Sequence, residues 1–127
     1  MYLALVQIDP LELVHIDSPG FGIDDLTYLG GDRLAVASAG KIIVVDGLTA
    51  SPVDTLAALP AGSSVRTLAA EPGSGRLYAI EESGTPRLLR IDVAGDAIEE
   101  EVDLPGDVLA MRLVAGETAL HLAIDNL

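Results

Sequence analysis

The sequence lacks residues on which much protein chemistry depends: it contains no cysteine, no tryptophan, one phenylalanine and two histidines among 127 residues. Without cysteine, disulfides, thiolate metal sites and cysteine nucleophiles are excluded. His15 and His121 alone cannot form a histidine-rich metal site, and no G-x-S-x-G motif accompanies them, so we interpret both as structural. Because half of the residues are apolar and only 3% are aromatic, the core must be aliphatic.

Basic residues are also scarce, since Lys41 is the only lysine and six arginines face twenty acidic residues. The formal net charge of −13 repels phosphate backbones and anionic lipids, so we expect neither nucleic acid nor a membrane surface as a partner. Such a field could attract cations or basic proteins, although solubility or adaptation to a salty cell explains it more simply.

No stretch of the sequence has the character of a targeting or membrane segment. The start, MYLALVQIDP, has no basic region and reaches Gln7, Asp9 and Pro10 before an apolar signal region could be completed. No apolar run approaches the roughly 18 residues of a membrane helix. We therefore expect a soluble protein without a signal peptide, cytoplasmic by default, although the absence of cysteine leaves the compartment undetermined.

Clusters of Gly, Pro and Asp divide the chain into short apolar runs, which predicts an all-β protein of about twelve strands. Ala39-Gly40 predicts a tight hairpin between strands over 33–38 and 41–45. The most ambiguous segment is LTASPVDTLAAL, residues 48–59, for which we predict a strand over 53–59.

An internal repeat organises these strands. A leucine that follows a turn recurs at Leu34, Leu77 and Leu120, at a spacing of 43 residues. A period in the low forties with about four short strands is typical of a β-propeller blade. Unbroken apolar runs such as IIVV fit strands covered on both faces, as stacked blades require. A β-sandwich of similar strand number is the alternative, but it would not require this period.

The clearest copy of the repeat extends from Gly75 to Asp107. Within it, LYAI from Leu77, LRID from Leu89 and LPG from Leu104 follow one another in the order of an LYVTN-like strand, a V-x-V-I-D strand and a closing P-x-G. This copy resembles the YVTN-type propeller repeat. The resemblance implies blades of four antiparallel strands, and it extends in pattern over nearly the whole chain.

We therefore predict a single domain of three four-stranded blades. Blade one covers about 23–63, blade two about 64–106, and a composite blade combines 107–127 with 1–22, because the outer half of the third copy is QIDPLELVHIDSPG near the N-terminus. Three blades cannot close a ring. We expect two copies to form a six-bladed homodimer of two half-propellers, closed by Tyr2, Leu3, Leu5, Val6, Ile8, Leu120, Leu122 and Ile124.

Other assemblies remain open at this point. A trimer would give nine blades, and the chain could be a fragment of a longer propeller or an engineered half-propeller that only self-assembles. The length of about three periods favours the dimer over a fragment.

Candidate chemistry is limited to carboxylates and a few arginines on the predicted inner strands. The candidates for binding along the channel are Asp24, Asp25, Arg66, Thr67 and Arg112. Asp24, Asp25 and Asp107 could supply oxygen ligands to Ca²⁺ or another divalent ion. Alternatively, Asp24 and Asp25 are solvated or paired with Arg66. We expect no other cofactor.

We predict no catalytic residues. Ser38 and Lys41 have the S-x-x-K spacing, but they lie across a hairpin and not on one helical face. The favoured function is a non-enzymatic binding and assembly module that presents a ring face or channel to a protein or small ligand. The alternative is a metal-dependent hydrolase or lactonase of the propeller type.

Overall fold

The computed structural model describes residues 1–113 and 119–125, with the side chains of residues 15 and 17 also outside the description. This part of the chain is all-β, with twelve strands and no helix, and so it contains no helical segment able to cross a membrane. The strands are β1 (Leu3–Ile8), β2 (Leu11–Asp17), β3 (Asp25–Gly30), β4 (Arg33–Ser38), β5 (Lys41–Asp46), β6 (Pro52–Thr55), β7 (Val65–Ala70), β8 (Arg76–Glu81), β9 (Arg87–Asp92), β10 (Ala97–Asp103), β11 (Asp107–Leu113) and β12 (Leu120–Asp125). The predicted composite unit includes residues 114–118 and 126–127, which lie outside the description.

The strands form four antiparallel sheets that follow the order of the chain. The N-terminal hairpin is β1–β2, the first sheet is β3–β4–β5–β6, the second sheet is β7–β8–β9–β10, and the C-terminal hairpin is β11–β12. Two sheets are therefore four-stranded and two are only two-stranded. The all-β prediction is confirmed.

The middle strands of the four-stranded sheets are covered on both faces. In β4, four consecutive residues from Ala35 to Ser38 are buried, and β8 is similarly buried from Ala79 to Glu81. Small and branched side chains permit this close stacking without aromatic residues. The main core lies between the first and second sheets and contains Ala35, Ala37, Ile42, Val44, Leu56, Val65, Leu68, Leu77, Ala79, Leu89 and Ile91.

A second, smaller core joins the second sheet to the C-terminal hairpin. Ala69 and Ile80 of the second sheet pack with Val108 and Met111 of β11. Half-buried Leu120, Leu122 and Ile124 of β12 cover this core, together with Tyr78 and Leu88.

The 43-residue repeat is visible in the strand registers. In β7–β8 the pairs include Leu68 with Ala79 and Ala70 with Leu77. In β11–β12 Met111 pairs with Leu122 and Leu113 with Leu120, each 43 residues later. All five pairs of β7–β8 recur in this way, and the ladder irregularity falls at the same place. The C-terminal hairpin therefore repeats the first two strands of the second sheet.

The strand predicted over 53–59 is wrong in extent, because β6 covers only Pro52–Thr55. Pro52 is tolerated as the first residue of this edge strand. Beyond β6, the N–H groups of Ala57 and Ala58 donate to the Asp96 carboxylate of the second sheet, at 2.9 Å each. The Leu56 N–H still donates to the Ile42 carbonyl of β5, and the next two N–H groups are held by Asp96, which lies in the turn between β9 and β10.

The first and second sheets approach closely at a pair of glycines. The N–H of Gly73 donates to the carbonyl of Leu29 at 2.9 Å. A Cβ atom at Gly30, where φ is +109°, would lie 2.8 Å from the backbone nitrogen of Gly73. Glycine at position 30 therefore allows the two backbones to meet.

Candidate functional site

The N-terminal hairpin exposes apolar side chains that no other described strand covers. Val6 is 45% and Ile8 is 85% exposed. Exposed apolar side chains also follow the second strand of this hairpin: Leu11, Leu13, Val14 and Ile16. The sequence predicts Tyr2, Leu3, Leu5, Val6 and Ile8 at a junction between copies, with the strand from Leu11 to Ile16 in the same composite blade.

The C-terminal hairpin has an open strand edge. Strand β12 is hydrogen-bonded to β11, and its other edge has no partner strand within the described chain. The predicted junction residues Leu120, Leu122 and Ile124 lie half-buried on this strand, against the second core. An open edge next to half-buried apolar side chains is a template for pairing with another strand.

The two hairpins correspond to the two halves of a complete sheet. The C-terminal hairpin repeats β7–β8, and the N-terminal hairpin carries Ile8-Asp9 where β9 ends in Ile91-Asp92 and β5 ends in Val45-Asp46. Val45 and Ile91 are fully buried, at 0% exposure. Ile8 is therefore the most exposed member of a set whose other members lie in the core.

A separate cleft of about 260 Å³ lies along the strands that begin three successive sheets, β3, β7 and β11. Of the channel-facing candidates, Asp25 and Arg112 line this cleft, whereas Asp24, Arg66 and Thr67 do not. The rest of the lining comes from all three strands: Leu26 and Thr27, Leu68 to Ala70, and Met111 with Leu113.

The Asp25 carboxylate connects the first sheet to the second. Its Oδ2 accepts a hydrogen bond from the Leu68 N–H at 2.8 Å, and its Oδ1 accepts one from the Leu26 N–H at 2.9 Å. Arg66, the cation considered for this carboxylate, forms no ion pair within the described residues. Both Asp25 oxygens accept N–H groups, so this side chain has a structural role, joining the first sheet to the second.

The candidate metal ligands are not gathered into one group. Asp24 and Asp25 lie at the start of β3, while Asp107 begins β11 opposite Asp125. Over residues 1–113 and 119–125, no three histidine or carboxylate side chains come together in a way that could hold a metal ion. Divalent-ion binding and the hydrolase that would use it therefore gain no support from the geometry.

The S-x-x-K pair and His121 lie at ordinary positions on the strands. Ser38 and Lys41 are paired across the tight turn Ala39-Gly40, whose φ angles of 50° and 79° suit a hairpin. His121 lies on β12 opposite Arg112. The side chain of His15 lies outside the described residues.

Arginine and glutamate side chains cover the outer part of the second sheet. Three consecutive glutamates of β10 are paired with arginines of β8 and β9: Glu99 with Arg76 and Arg90, Glu100 with Arg90, and Glu101 with Arg87. Arg33 pairs with Asp46 in the first sheet. Within the described chain, Arg66 of β7 and Arg112 of β11 have no carboxylate partner.

Glu81 is a buried carboxylate that no pattern in the sequence predicts. It is 1% exposed, and its carboxylate accepts hydrogen bonds from the N–H groups of Ser64 and Ser83 and from Arg87. Burial raises the pKa of Glu81, but hydrogen bonds from Ser83, Ser64 and Arg87 outweigh that effect and lower the pKa from 4.5 to about 2. Nothing in the sequence distinguishes it from the adjacent Glu82.

Another cleft, of about 410 Å³, lies between the β4–β5 turn and the segment that follows β6. Lys41 is the only ionisable residue among those that line it. A single lysine without a neighbouring base or carboxylate in the cleft offers no catalytic arrangement.

The chain matches no protein-family model, and no curated protein matches it in sequence. Its functional interpretation therefore depends on its own strands and side chains.

Proposed function

We propose that the chain is a non-enzymatic assembly and binding module, a small acidic β-propeller of the YVTN type that two copies close into a six-bladed ring. In this ring the N-terminal hairpin of each copy completes the C-terminal hairpin of the other. The observation that carries the proposal is the presence of two half-sheets, β1–β2 and β11–β12. The hairpin β11–β12 repeats β7–β8, and the end of β1 carries the same Ile-Asp sequence as the end of β9.

The exposed apolar surface of the N-terminal hairpin provides a driving force for assembly. Fully burying one large aliphatic side chain stabilises an assembly by about 1.5–3 kcal/mol. The hairpin offers several such side chains, among them Val6, Ile8, Leu11 and Leu13. A contiguous apolar patch of this kind usually marks an interaction site.

Symmetry favours two copies. Each copy has one N-terminal and one C-terminal hairpin, so two copies joined head to tail form two identical junctions and leave no half-sheet unpaired. Each copy contributes two complete blades and half of each composite blade, which gives six blades and falls within the usual range of four to eight. Three copies would give nine, outside that range.

The binding part of the proposal concerns the inner strands. In the ring, the cleft with Asp25 and Arg112 faces the central channel, and the unpaired Arg66 lies on the adjacent inner strand. Two copies double these groups around the axis. We propose that a protein or small ligand is recognised at this channel or at a ring face, without covalent chemistry.

Amide hydrogen exchange tests the ring directly at the backbone. In an antiparallel ladder, about half of the N–H groups of an edge strand point away from its only neighbour. We expect the amides of β1 and β12 to be protected together at high protein concentration and to lose protection together on dilution. Fast exchange of both strands at every concentration would contradict the proposal.

The negative charge of the chain makes the hydrogen-exchange result dependent on salt, which provides a further control. Each copy carries a formal charge of −13, so two copies repel one another, and salt screens this repulsion. Protection of β1 and β12 should therefore decrease at low ionic strength, whereas that of the core strands β4 and β8 should not.

A further inference from the structure

We infer that β1 of one copy pairs antiparallel with β12 of a second copy in a single register, with Ile8 opposite Leu120 and Val6 opposite Leu122. The inference rests on the proposed ring and adds to it the strand edge and the residue pairs by which a second copy is recognised.

The register comes from the two complete sheets. Between their second and third strands, Leu34 pairs with Val45 in the first sheet and Leu77 pairs with Ile91 in the second. Two residues further along, Val36 pairs with Ile43, and Ala79 pairs with Leu89. Both sheets therefore use the same register at this position.

The repeat transfers this register to the two hairpins. Leu120 and Leu122 occupy the positions of Leu77 and Ala79, because every pair of β7–β8 recurs 43 residues later. Ile8, which ends β1 and precedes Asp9, occupies the position of Ile91, which precedes Asp92. Ile8 therefore lies opposite Leu120, and Val6 lies opposite Leu122.

One face of β1 lies against its own copy, which leaves the other face for a second copy. Leu3, Ala4 and Leu5 line a cavity of about 270 Å³ together with Leu26, Tyr28 and Leu34 of the same copy, whereas Val6 and Ile8 do not line it. Successive side chains of a strand point to opposite faces. Val6 and Ile8 therefore face away from their own first sheet.

The surface that receives Val6 and Ile8 is the second core of the partner copy. Leu89 and Ile91, their counterparts in β9, pack in the main core against the preceding sheet. The sheet that precedes the composite sheet is the second sheet of the other copy, so Val6 and Ile8 contact that sheet. There Tyr78 and Leu88 are half-buried beside Leu120 and Leu122. A shift of one residue would turn both side chains to the wrong face.

Other strand pairings would also give a dimer, so mass alone does not test the register. Two β12 edges could pair with each other, as could two β2 edges, and both arrangements leave one half-sheet of each copy incomplete. The head-to-tail register is the one that completes both half-sheets.

Disulfide trapping distinguishes these cases, because the chain has no cysteine and introduced thiols are the only ones present. A chain with Val6→Cys and a chain with Leu122→Cys are co-expressed and oxidised. Directly opposed residues of antiparallel strands have Cα atoms about 4.5–5.5 Å apart, within the range of a disulfide. We expect a covalent species of twice the 13.1-kDa chain mass on a non-reducing gel.

Matched controls fix the register and the edge. Val6→Cys combined with Ala123→Cys, shifted by one residue onto the opposite face, should not cross-link, and neither should either single variant alone. Ile8→Cys with Leu120→Cys is a second in-register pair, in case one substitution disturbs folding.

The outcomes separate the register from the ring. A doubled mass in light scattering without cross-linking of either in-register pair would overturn the register and leave the ring standing. Cross-linking of Leu122→Cys with itself would show that two β12 edges pair, which also overturns the register. A single-copy mass for the unmodified chain would overturn the ring itself.

Discussion

Replacing Ile8 with aspartate is expected to convert the proposed two-copy ring to single copies without unfolding them. In a single chain the Ile8 side chain is 85% exposed, so a carboxylate at this position remains in water. In the ring it would occupy the place of Val45 and Ile91, which are both fully buried. Loss of one buried isoleucine costs about 1.5–3 kcal/mol, and each ring contains two. We expect the dissociation constant to rise at least about 100-fold.

Light scattering over a dilution series measures this change, and circular dichroism checks that the fold is retained. The matched control is Leu109→Asp, which introduces the same charge at an apolar residue of similar exposure, 69%. Leu109 corresponds in the repeat to Asp24 and Arg66. This position therefore carries a charge in two of the three copies of the repeat. The control should assemble like the unmodified chain. Equal weakening by both variants would mean that added charge, and not the Ile8 position, controls assembly.

Replacing Glu81 with glutamine is expected to destabilise the fold by up to about 3 kcal/mol near neutral pH, because the pKa difference between 4.5 and about 2 corresponds to that energy. The carboxylate receives N–H groups from Ser64 and Ser83 and pairs with Arg87 at 3.0 Å. Glutamine has one acceptor oxygen fewer and no charge, and so part of this network is left unsatisfied.

The same substitution should alter the pH dependence of stability. The pKa of Glu81 is lower in the folded chain than in the unfolded one, so between about pH 4.5 and pH 2 the unfolded state binds more protons. The stabilisation is fully present above about pH 4.5 and is lost as the pH falls toward 2. Glu81→Gln should therefore lose less stability on acidification than the unmodified chain.

Urea unfolding at fixed protein concentration, repeated from pH 7 to pH 2.5, measures both effects. Glu82→Gln is the matched control, since the adjacent Glu82 side chain forms no hydrogen bond or ion pair in the described part of the chain. It should unfold like the unmodified protein at every pH. A parallel decline of Glu81→Gln and the unmodified chain would show that Glu81 does not control the acid response.

Local features of this fold could be predicted from the sequence where one residue type determines the backbone. Ala39-Gly40 correctly predicted a tight hairpin, and β4 covers Arg33–Ser38 as predicted. The leucines at 43-residue intervals indicated a repeat, which is found in the registers of β7–β8 and β11–β12. Turn residues act on the backbone next to them, and a repeat copies the same pattern at a fixed spacing, so both can be recognised in a single sequence.

Features that depend on a neighbouring sheet could not be predicted. The strand β6 ends at Thr55, and shortly after it the N–H groups of Ala57 and Ala58 donate to Asp96, about forty residues further along the chain. Asp25 was identified as a channel candidate, but its hydrogen bond to Leu68 depends on how two sheets stack. With twenty acidic residues in the chain, their type and spacing do not show which carboxylates have such roles.

The molar mass in solution tests the central claim most directly. Light scattering in moderate salt, over a concentration series, should give twice the 13.1-kDa chain mass and a return to the chain mass on sufficient dilution. A single-copy mass at every concentration would contradict a ring closed by two copies. It would mean that the N-terminal hairpin does not complete the β12 edge of a second copy.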